Sequence, residues 1–179
     1  MRRTAGAALL LCVALAPLQG QSRFRAGVGA AAGLAESLTD TRSSYAGGPG
    51  GKGELSFGLA GSPWSLRLET WYVRLHGAGP PELSFPALNI LGFTVSGVRR
   101  IGAPGRPLSA YLFGGAGAVN LEDALPFASW RTALGVQAGA GLEIGRTRLR
   151  GFVEGRLLHV TTDPATDFAA FTGGVRWGL

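Results

Sequence analysis

The chain has 179 residues, of which 46% are hydrophobic and 30 are glycine, and it carries a formal charge of +6. That length makes one domain. The arginines stand singly with glutamates beside them rather than in a patch, which argues against a nucleic-acid surface. After the first twenty or so residues no apolar run approaches the length of a membrane-spanning helix.

Met1-Arg2-Arg3 is basic, Ala5 to Leu18 is apolar or small without a charge, and Gln19-Gly20-Gln21-Ser22 is a polar exit. Charge, length and order predict a secretory signal over residues 1–22, cleaved near Gly20 or Ser22, followed by one domain over residues 23–179. Cys12 lies inside the apolar stretch and follows Leu11, which is too large for a lipoprotein site. The exported chain then has no cysteine, hence no disulfide framework. Fifteen bases remain against eleven acids.

Beyond the signal, period-2 alternation recurs and helical periodicity is hard to find. Phe24 to Ala35 predicts the first strand, with Phe24, Ala26, Val28, Ala30, Ala32 and Leu34 on one face. A Gly-rich loop over Glu36 to Gly51 follows, then a strand over Lys52 to Ala60 in which Leu55, Phe57 and Leu59 alternate with Glu54, Ser56 and Gly58. Gly61-Ser62-Pro63 reads as a tight turn. The third strand, Trp64 to Leu75, sets Trp64, Leu66, Leu68, Thr70 and Tyr72 against Ser65, Arg67, Glu69 and Trp71. After a Pro-rich loop (His76 to Ala87) comes a fourth strand, Leu88 to Arg99, with Leu91, Phe93 and Val95 on the apolar face.

Ile101 to Pro107 is a Gly/Pro turn. The fifth strand, Leu108 to Asn120, is assigned with Tyr111, Phe113 and Val119 outward, although Gly114-Gly115-Ala116-Gly117 leaves its facing ambiguous. A loop over Leu121 to Ser129 precedes the sixth strand, Trp130 to Ile144, where Leu134, Val136, Ala138, Ala140, Leu142 and Ile144 alternate with Gly135, Gln137, Gly139, Gly141 and Glu143. Gly145 to Arg148 is a hairpin turn. In the seventh strand, Leu149 to Val160, Leu149, Gly151, Val153, Gly155 and Leu157 oppose Arg150, Phe152, Glu154 and Arg156. A loop over Thr161 to Asp167 leads to the eighth strand, which places Phe171, Gly173, Val175, Trp177 and Leu179 on one face and Ala170, Thr172, Gly174 and Arg176 on the other.

The connections alternate long and short, as in an up-and-down barrel with short turns on one side of a membrane and longer loops on the other. The expected fold is therefore all-β: an eight-stranded antiparallel transmembrane β-barrel. A soluble Greek-key sandwich has no reason to keep that rhythm. Aromatics fall near strand ends, and Phe24, Trp64, Tyr72, Tyr111, Trp130 and Trp177 are the expected interface residues. Phe127 and Phe168 are placed in the same loop-end girdle. The charges share the opposite face: Glu54, Arg67, Glu69, Glu143, Arg150, Glu154, Arg156 and Arg176. A lumen of eight strands is only wide enough to be filled by side chains. These residues are therefore expected to form an Arg/Glu network inside rather than line an open pore.

Two sets of residues carry a family resemblance. Thr172, Gly174, Trp177 and Leu179 follow the polar–glycine–aromatic–hydrophobic spacing of the final strand by which outer-membrane barrels are inserted, with Leu179 where that family most often has Phe. Leu112-Phe113-Gly114-Gly115-Ala116-Gly117, Ala138-Gly139-Ala140-Gly141-Leu142-Glu143, Phe152-Val153-Glu154 to Arg156 and Gly174-Val175-Arg176-Trp177 complete the likeness. Over residues 23–179 the chain resembles the small OmpA- and OmpX-type barrels of the bacterial outer membrane. The resemblance implies an outer-membrane location, outer-membrane lipid as the surroundings, delivery by the barrel-assembly machinery through the C-terminal strand, and no nucleic-acid partner. A monomer without cofactor is expected, and the anchoring role of the larger family members is not supported.

Chemistry is sparse. His76 and His159 are the two histidines. His159-Val160-Thr161, with Asp163 or Asp167 to orient the imidazole, distantly resembles the His-x-Ser of outer-membrane lipid A deacylases, with Thr in place of Ser. A nucleophile needs a base in reach and that base an orienter. Gly-x-Gly strings lie inside strands, so they are not nucleotide fingerprints. The favoured reading is a non-enzymatic barrel with a structural or surface-interaction role. A soluble periplasmic barrel binding a small apolar ligand and a lipid A-modifying enzyme are the alternatives.

Overall fold

Side chains alternate across a strand, so each run of alternating residues acquires an apolar and a polar face once it is extended. The computed structural model describes residues 24–38, 45–77, 87–102, 106–123, 131–145, 148–162 and 165–179. The predicted signal, Phe127 and Trp130 lie outside them. Every regular element among the described residues is a strand: β1 (Phe24–Ser37), β2 (Tyr45–Ala46), β3 (Gly48–Leu59), β4 (Trp64–Gly77), β5 (Leu88–Ile101), β6 (Leu108–Asp123), β7 (Arg131–Ile144), β8 (Leu149–Val160) and β9 (Thr166–Gly178).

Eight of these close into an antiparallel barrel. Each pairs with its neighbour in the order β1, β3, β4, β5, β6, β7, β8, β9, and β9 returns to β1 with Val28 opposite Trp177 and Leu34 opposite Phe171. The short β2 sits on the end of β4, pairing Tyr45 with Gly77. Closure leaves no unpaired edge on the barrel, which is what a strand protein needs in hydrocarbon. The eight barrel strands run 12 to 16 residues, longer than the ~9–11 tilted residues that cross a bilayer core.

The three short turns each hold a glycine at positive φ: Gly61 at 82°, Gly102 at 112° and Gly145 at 154°. Side chains rarely adopt that backbone, so glycine fixes the hairpins at one rim. Phe24 and Leu179 lie at this rim, where Leu179 N–H donates to the Ala26 carbonyl at 2.9 Å. The opposite rim carries the longer connections.

Several strands run two or three residues past their expected ends, β6 to Asp123 and β4 to Gly77 among them, and two starts differ for a physical reason. β3 begins at Gly48, inside the Gly/Pro run expected to be loop, because Pro49, Gly50 and Gly51 pair with Leu34, Gly33 and Ala32 of β1. A Cβ at Gly48 would lie 1.8 Å from the Arg74 carbonyl oxygen. The bareness that resembles a loop in sequence is what admits β4 so closely. β9 likewise starts at Thr166, within the expected Thr161 to Asp167 loop, where Thr166 and Asp167 pair with Val160 and His159.

The apolar faces of β1, β3, β4, β5, β7, β8 and β9 point outward. Leu55, Leu66, Phe93, Leu134, Val153 and Val175 are all exposed. β6 is the correction. Tyr111, Phe113 and Val119 are buried inside the barrel, while Leu108 and Leu112 face out. Tyr111 is therefore a lumen residue, only 2% exposed, and not an interface aromatic. Its ring and that of Phe113 occupy space over the bare backbone of β7. Tyr111 is the register partner of Gly141 and Phe113 that of Gly139. A Cβ on Gly141 would fall 2.3 Å from the Tyr111 ring and one on Gly139 2.4 Å from the Phe113 ring. Interior volume, rather than lipid, claims these rings. Phe168 is also interior, not part of a loop-end girdle.

Candidate functional site

The lumen is where charge collects, and it divides into two layers. Toward the turns lies an ionic layer. Strands β3, β4, β7, β8 and β9 each contribute inward positions at alternate residues, so Lys52, Glu54, Arg67, Glu69, Glu143, Glu154, Arg156 and Arg176 converge. Four bases face four acids.

Glu154 is the hub. Its Oε1 accepts from Lys52 Nζ at 2.7 Å and Arg156 Nη2 at 2.7 Å; its Oε2 accepts from Arg67 Nη1 at 2.6 Å and the Tyr111 hydroxyl at 3.0 Å. Glu69 accepts from Lys52 at 2.8 Å, Arg156 Nη2 at 2.9 Å and Gln137 Nε2 at 2.9 Å. Gln137 returns its Oε1 to Arg156 Nη1 at 2.9 Å and reaches Thr94 and Ser96 on β5. Nearer the turns, Arg176 donates through Nε and Nη2 to Glu54, through Nη1 to Glu143 at 3.1 Å, and through Nη2 to the Tyr111 oxygen at 3.2 Å. Arg150 and Arg100 also bind Glu143, at 2.7 Å and 3.3 Å.

Aromatic faces complete the layer. The Arg67 guanidinium lies 4.1 Å from the Phe113 centroid and that of Arg176 3.9 Å from the Phe152 centroid. Such stacking is favourable for a desolvated cation. A buried charge persists only when paired and hydrogen-bonded, and here each carboxylate has at least two cationic neighbours.

Toward the loops the lumen is apolar. Trp71, Val73, Leu75, Leu88, Ile90, Val119, Leu121, Leu158, Val160 and Phe168 form one buried cluster with Ala35. Leu75, Val119 and Val160 have no exposed surface. Between the layers a cavity of about 30 Å3 remains, bordered by Lys52, Trp71, Arg156 and Thr172. That is room for roughly one or two waters.

The eight sequence-predicted charged residues thus lie on the lumen side. Seven form the cluster with Lys52, and Arg150 sits at the turn-end mouth, its side chain 32% exposed. Sequence reasoning missed Lys52, Gln137, Tyr111 and Arg100. Lys52 was legible: it shares parity with Glu54, but it stood at an expected strand end. The apolar layer was legible too, since Tyr72 to Leu75 carries bulky apolar residues on both faces.

Of the expected interface aromatics, Phe24, Trp64 and Trp177 are exposed at the turn end, 75%, 56% and 46% respectively, and Tyr72 is exposed toward the loops with its hydroxyl donating to Asn89 at 2.8 Å. Trp130 lies outside the described residues. In the expected insertion strand, Trp177 and Leu179 face outward while Thr172 and Gly174 turn inward. His159 Nδ1 is 2.7 Å from Asp167 Oδ1, so an imidazole–carboxylate pair does form on the outer surface. The Thr161 hydroxyl instead donates to the Leu134 carbonyl at 3.0 Å. A base and an orienter are together, while the candidate nucleophile Thr161 is bonded to the backbone; Asp163 lies outside the described residues. Among the described residues no group of three or more His, Cys, Asp or Glu side chains is arranged to hold a metal ion.

Solved structures share this architecture. The chain is similar to Neisserial surface protein A, at a TM-score of 0.58 and 17% identity over 87% of this chain and 97% of that one. It is similar to Ail, the attachment invasion locus protein of Yersinia pestis, at a TM-score of 0.56 and 14% identity over 87% and 98%. The N-terminal β-barrel domain of Pseudomonas aeruginosa OprF matches at a TM-score of 0.51 and 16% identity over 86% and 97%. The fold is that of the eight-stranded outer-membrane barrels. No protein-family model and no curated protein matches the sequence.

Proposed function

We propose that this chain is a non-enzymatic barrel of the bacterial outer membrane with a structural or surface-interaction role, its loops presented outward and its interior sealed. One observation carries the reading: the hydrophilic charges are enclosed while the exterior is a belt of apolar side chains. Phe93, Leu134, Val153 and Phe171 are each more than half exposed, whereas Glu69 and Glu154 are nearly inaccessible. A belt of that extent on a water-soluble monomer is an aggregation surface, and in lipid it is the stable arrangement. The aromatics at the turn rim suit the headgroup boundary, where amphipathic rings collect. The short turns, Phe24 and Leu179 then face the periplasm. Of the insertion strand's Thr172, Gly174, Trp177 and Leu179, the outward Trp177 and Leu179 are the features the assembly machinery would read.

The lumen favours a filler role. The apolar layer blocks a continuous wetted path, and the ionic layer locks the strands across the barrel. A soluble carrier of an apolar ligand needs a pocket of roughly 300 Å3 or more, against about 30 Å3 between the layers and about 180 Å3 at the charged turn-end mouth. Enzymatic lipid A modification is disfavoured by the bonding of Thr161 to the backbone.

Fractionation with a heat-modifiability gel tests the reading. The expected result is a chain in the outer-membrane fraction that needs detergent for extraction and migrates differently before and after boiling. A chain released in soluble monomeric form without detergent would refute it.

A further inference from the structure

The charge along the barrel axis is uneven. Among the described residues the turn end carries Arg25, Arg99, Arg100, Arg106, Arg148 and Arg150, and the nearest acidic side chain is Glu143 of the ionic layer. The described acids outside the lumen, Glu36, Glu122 and Asp167, lie toward the loops. The ionic layer between is balanced. The surplus of positive charge is therefore local to the turn-end mouth.

That mouth opens into a vestibule of about 180 Å3, bordered by Arg25, Arg67, Arg100, Arg150, Arg176 and Glu143. Glu143 is already spent. Its Oε1 accepts from Arg100 and Arg150 and its Oε2 from Arg176. Arg176 is held by Glu54 as well, and Arg100 and Arg150 add two more guanidinium groups around a carboxylate already in use. At the vestibule floor the Arg67 side chain is 2% exposed, and its buried Nε makes no hydrogen bond. A buried charged donor left without an acceptor is costly, on the order of 1–3 kcal/mol or more. Guanidinium groups in this arrangement match tetrahedral oxyanions, which accept several N–H donors at once.

We propose that the turn-end vestibule is a binding site for an oxyanion of the phosphate class, held by Arg100 and Arg150 at the mouth above the Arg67 floor. Its chemistry is the same whether the phosphate is free or belongs to a phospholipid headgroup. The site depends on the barrel and its arginines and not on where the barrel resides, so its test is separate from that of location.

The full chain, refolded in a phosphate-free maltoside detergent, would be titrated with inorganic phosphate while the arginine Nε–H signals are followed by NMR. Saturable shifts are expected, reproduced by sulfate and not by chloride at matched ionic strength. Arg150→Gln and Arg100→Gln should each weaken binding about tenfold, the loss of one charge-assisted contact. Arg106→Gln removes the same charge from the same rim outside the vestibule and should leave binding within about twofold, since exposed charges at that distance are screened. Unchanged gel heat-modifiability would verify folding of each variant. A second arm repeats the phosphate titration in nanodiscs containing phosphatidylglycerol or only phosphatidylcholine. Competition by phosphatidylglycerol would assign the site to a lipid headgroup, and its absence to a free anion. Shifts that follow ionic strength without saturating, or an Arg106→Gln loss equal to that of Arg150→Gln, would overturn the proposal.

Discussion

The two layers of the lumen solve one problem with opposite chemistry. Both must fill the inside of a narrow barrel whose outside is apolar. The loop-end layer does it with Leu75, Ile90, Val119, Val160 and Phe168, which need only shape. The turn-end layer does it with four bases and four acids that need partners. Dispersion and burial are forgiving, because a lost methylene leaves a small void. A buried ion is not forgiving, because its removal strands the opposite charges without compensation. A barrel interior is not polar merely because its exterior is apolar; what the interior requires is filling, and either chemistry serves.

The sharpest way to break that contrast is to remove the hub. Glu154→Gln leaves Lys52, Arg67 and Arg156 around a neutral amide, and a loss of about 3–5 kcal/mol is expected from urea unfolding in lipid vesicles. A loss no larger than that of a plug mutation would sink the distinction between the layers. Leu75→Ala, at a fully buried position in the apolar layer, should cost about 2–3 kcal/mol by the same assay and leave the ionic layer intact.

Gly92→Ala probes the seam between a plug side chain and the wall. An added Cβ would fall 2.1 Å from the Trp71 indole, so the indole must repack at a cost of about 1–3 kcal/mol. A shift in Trp71 fluorescence should accompany it, resolved in a variant that keeps only that tryptophan. Tyr111→Phe deletes the hydroxyl that links Glu154 and Arg176 without emptying the ring's place over Gly141, and should cost about 1–2 kcal/mol. The smallest effect belongs to the outer surface. His159 and Asp167 are about half exposed, and a double-mutant cycle between them should return no more than about 1 kcal/mol. A larger coupling would give that pair a role the lumen reading does not assign.

Much of this was legible in the sequence. Strand β8 matches its alternating run end for end, because Leu149 to Leu157 sets apolar or small residues against Arg150, Glu154 and Arg156. The inward parity of Arg67, Glu69, Glu154 and Arg156 followed from the same rule. Where the reading failed, two faces competed. In β6, Leu112 and Phe113 are both apolar, and glycine and alanine fill the next positions, so alternation had nothing to choose between. Phe168 likewise stood near a strand end and was assigned to an interface.

What the sequence determined by itself was the fold class, the strand count of the barrel and which face of most strands is apolar, because those properties depend on local periodicity and on the lengths of the connections. Tertiary structure alone decided which residues fill the lumen and with whom they pair. Tyr111 lies inside because Gly141, thirty residues away in sequence but opposite it in register, has no side chain there. Lys52 joins Glu154 because the barrel closes. A face can be assigned from one strand, but an interior volume belongs to all eight.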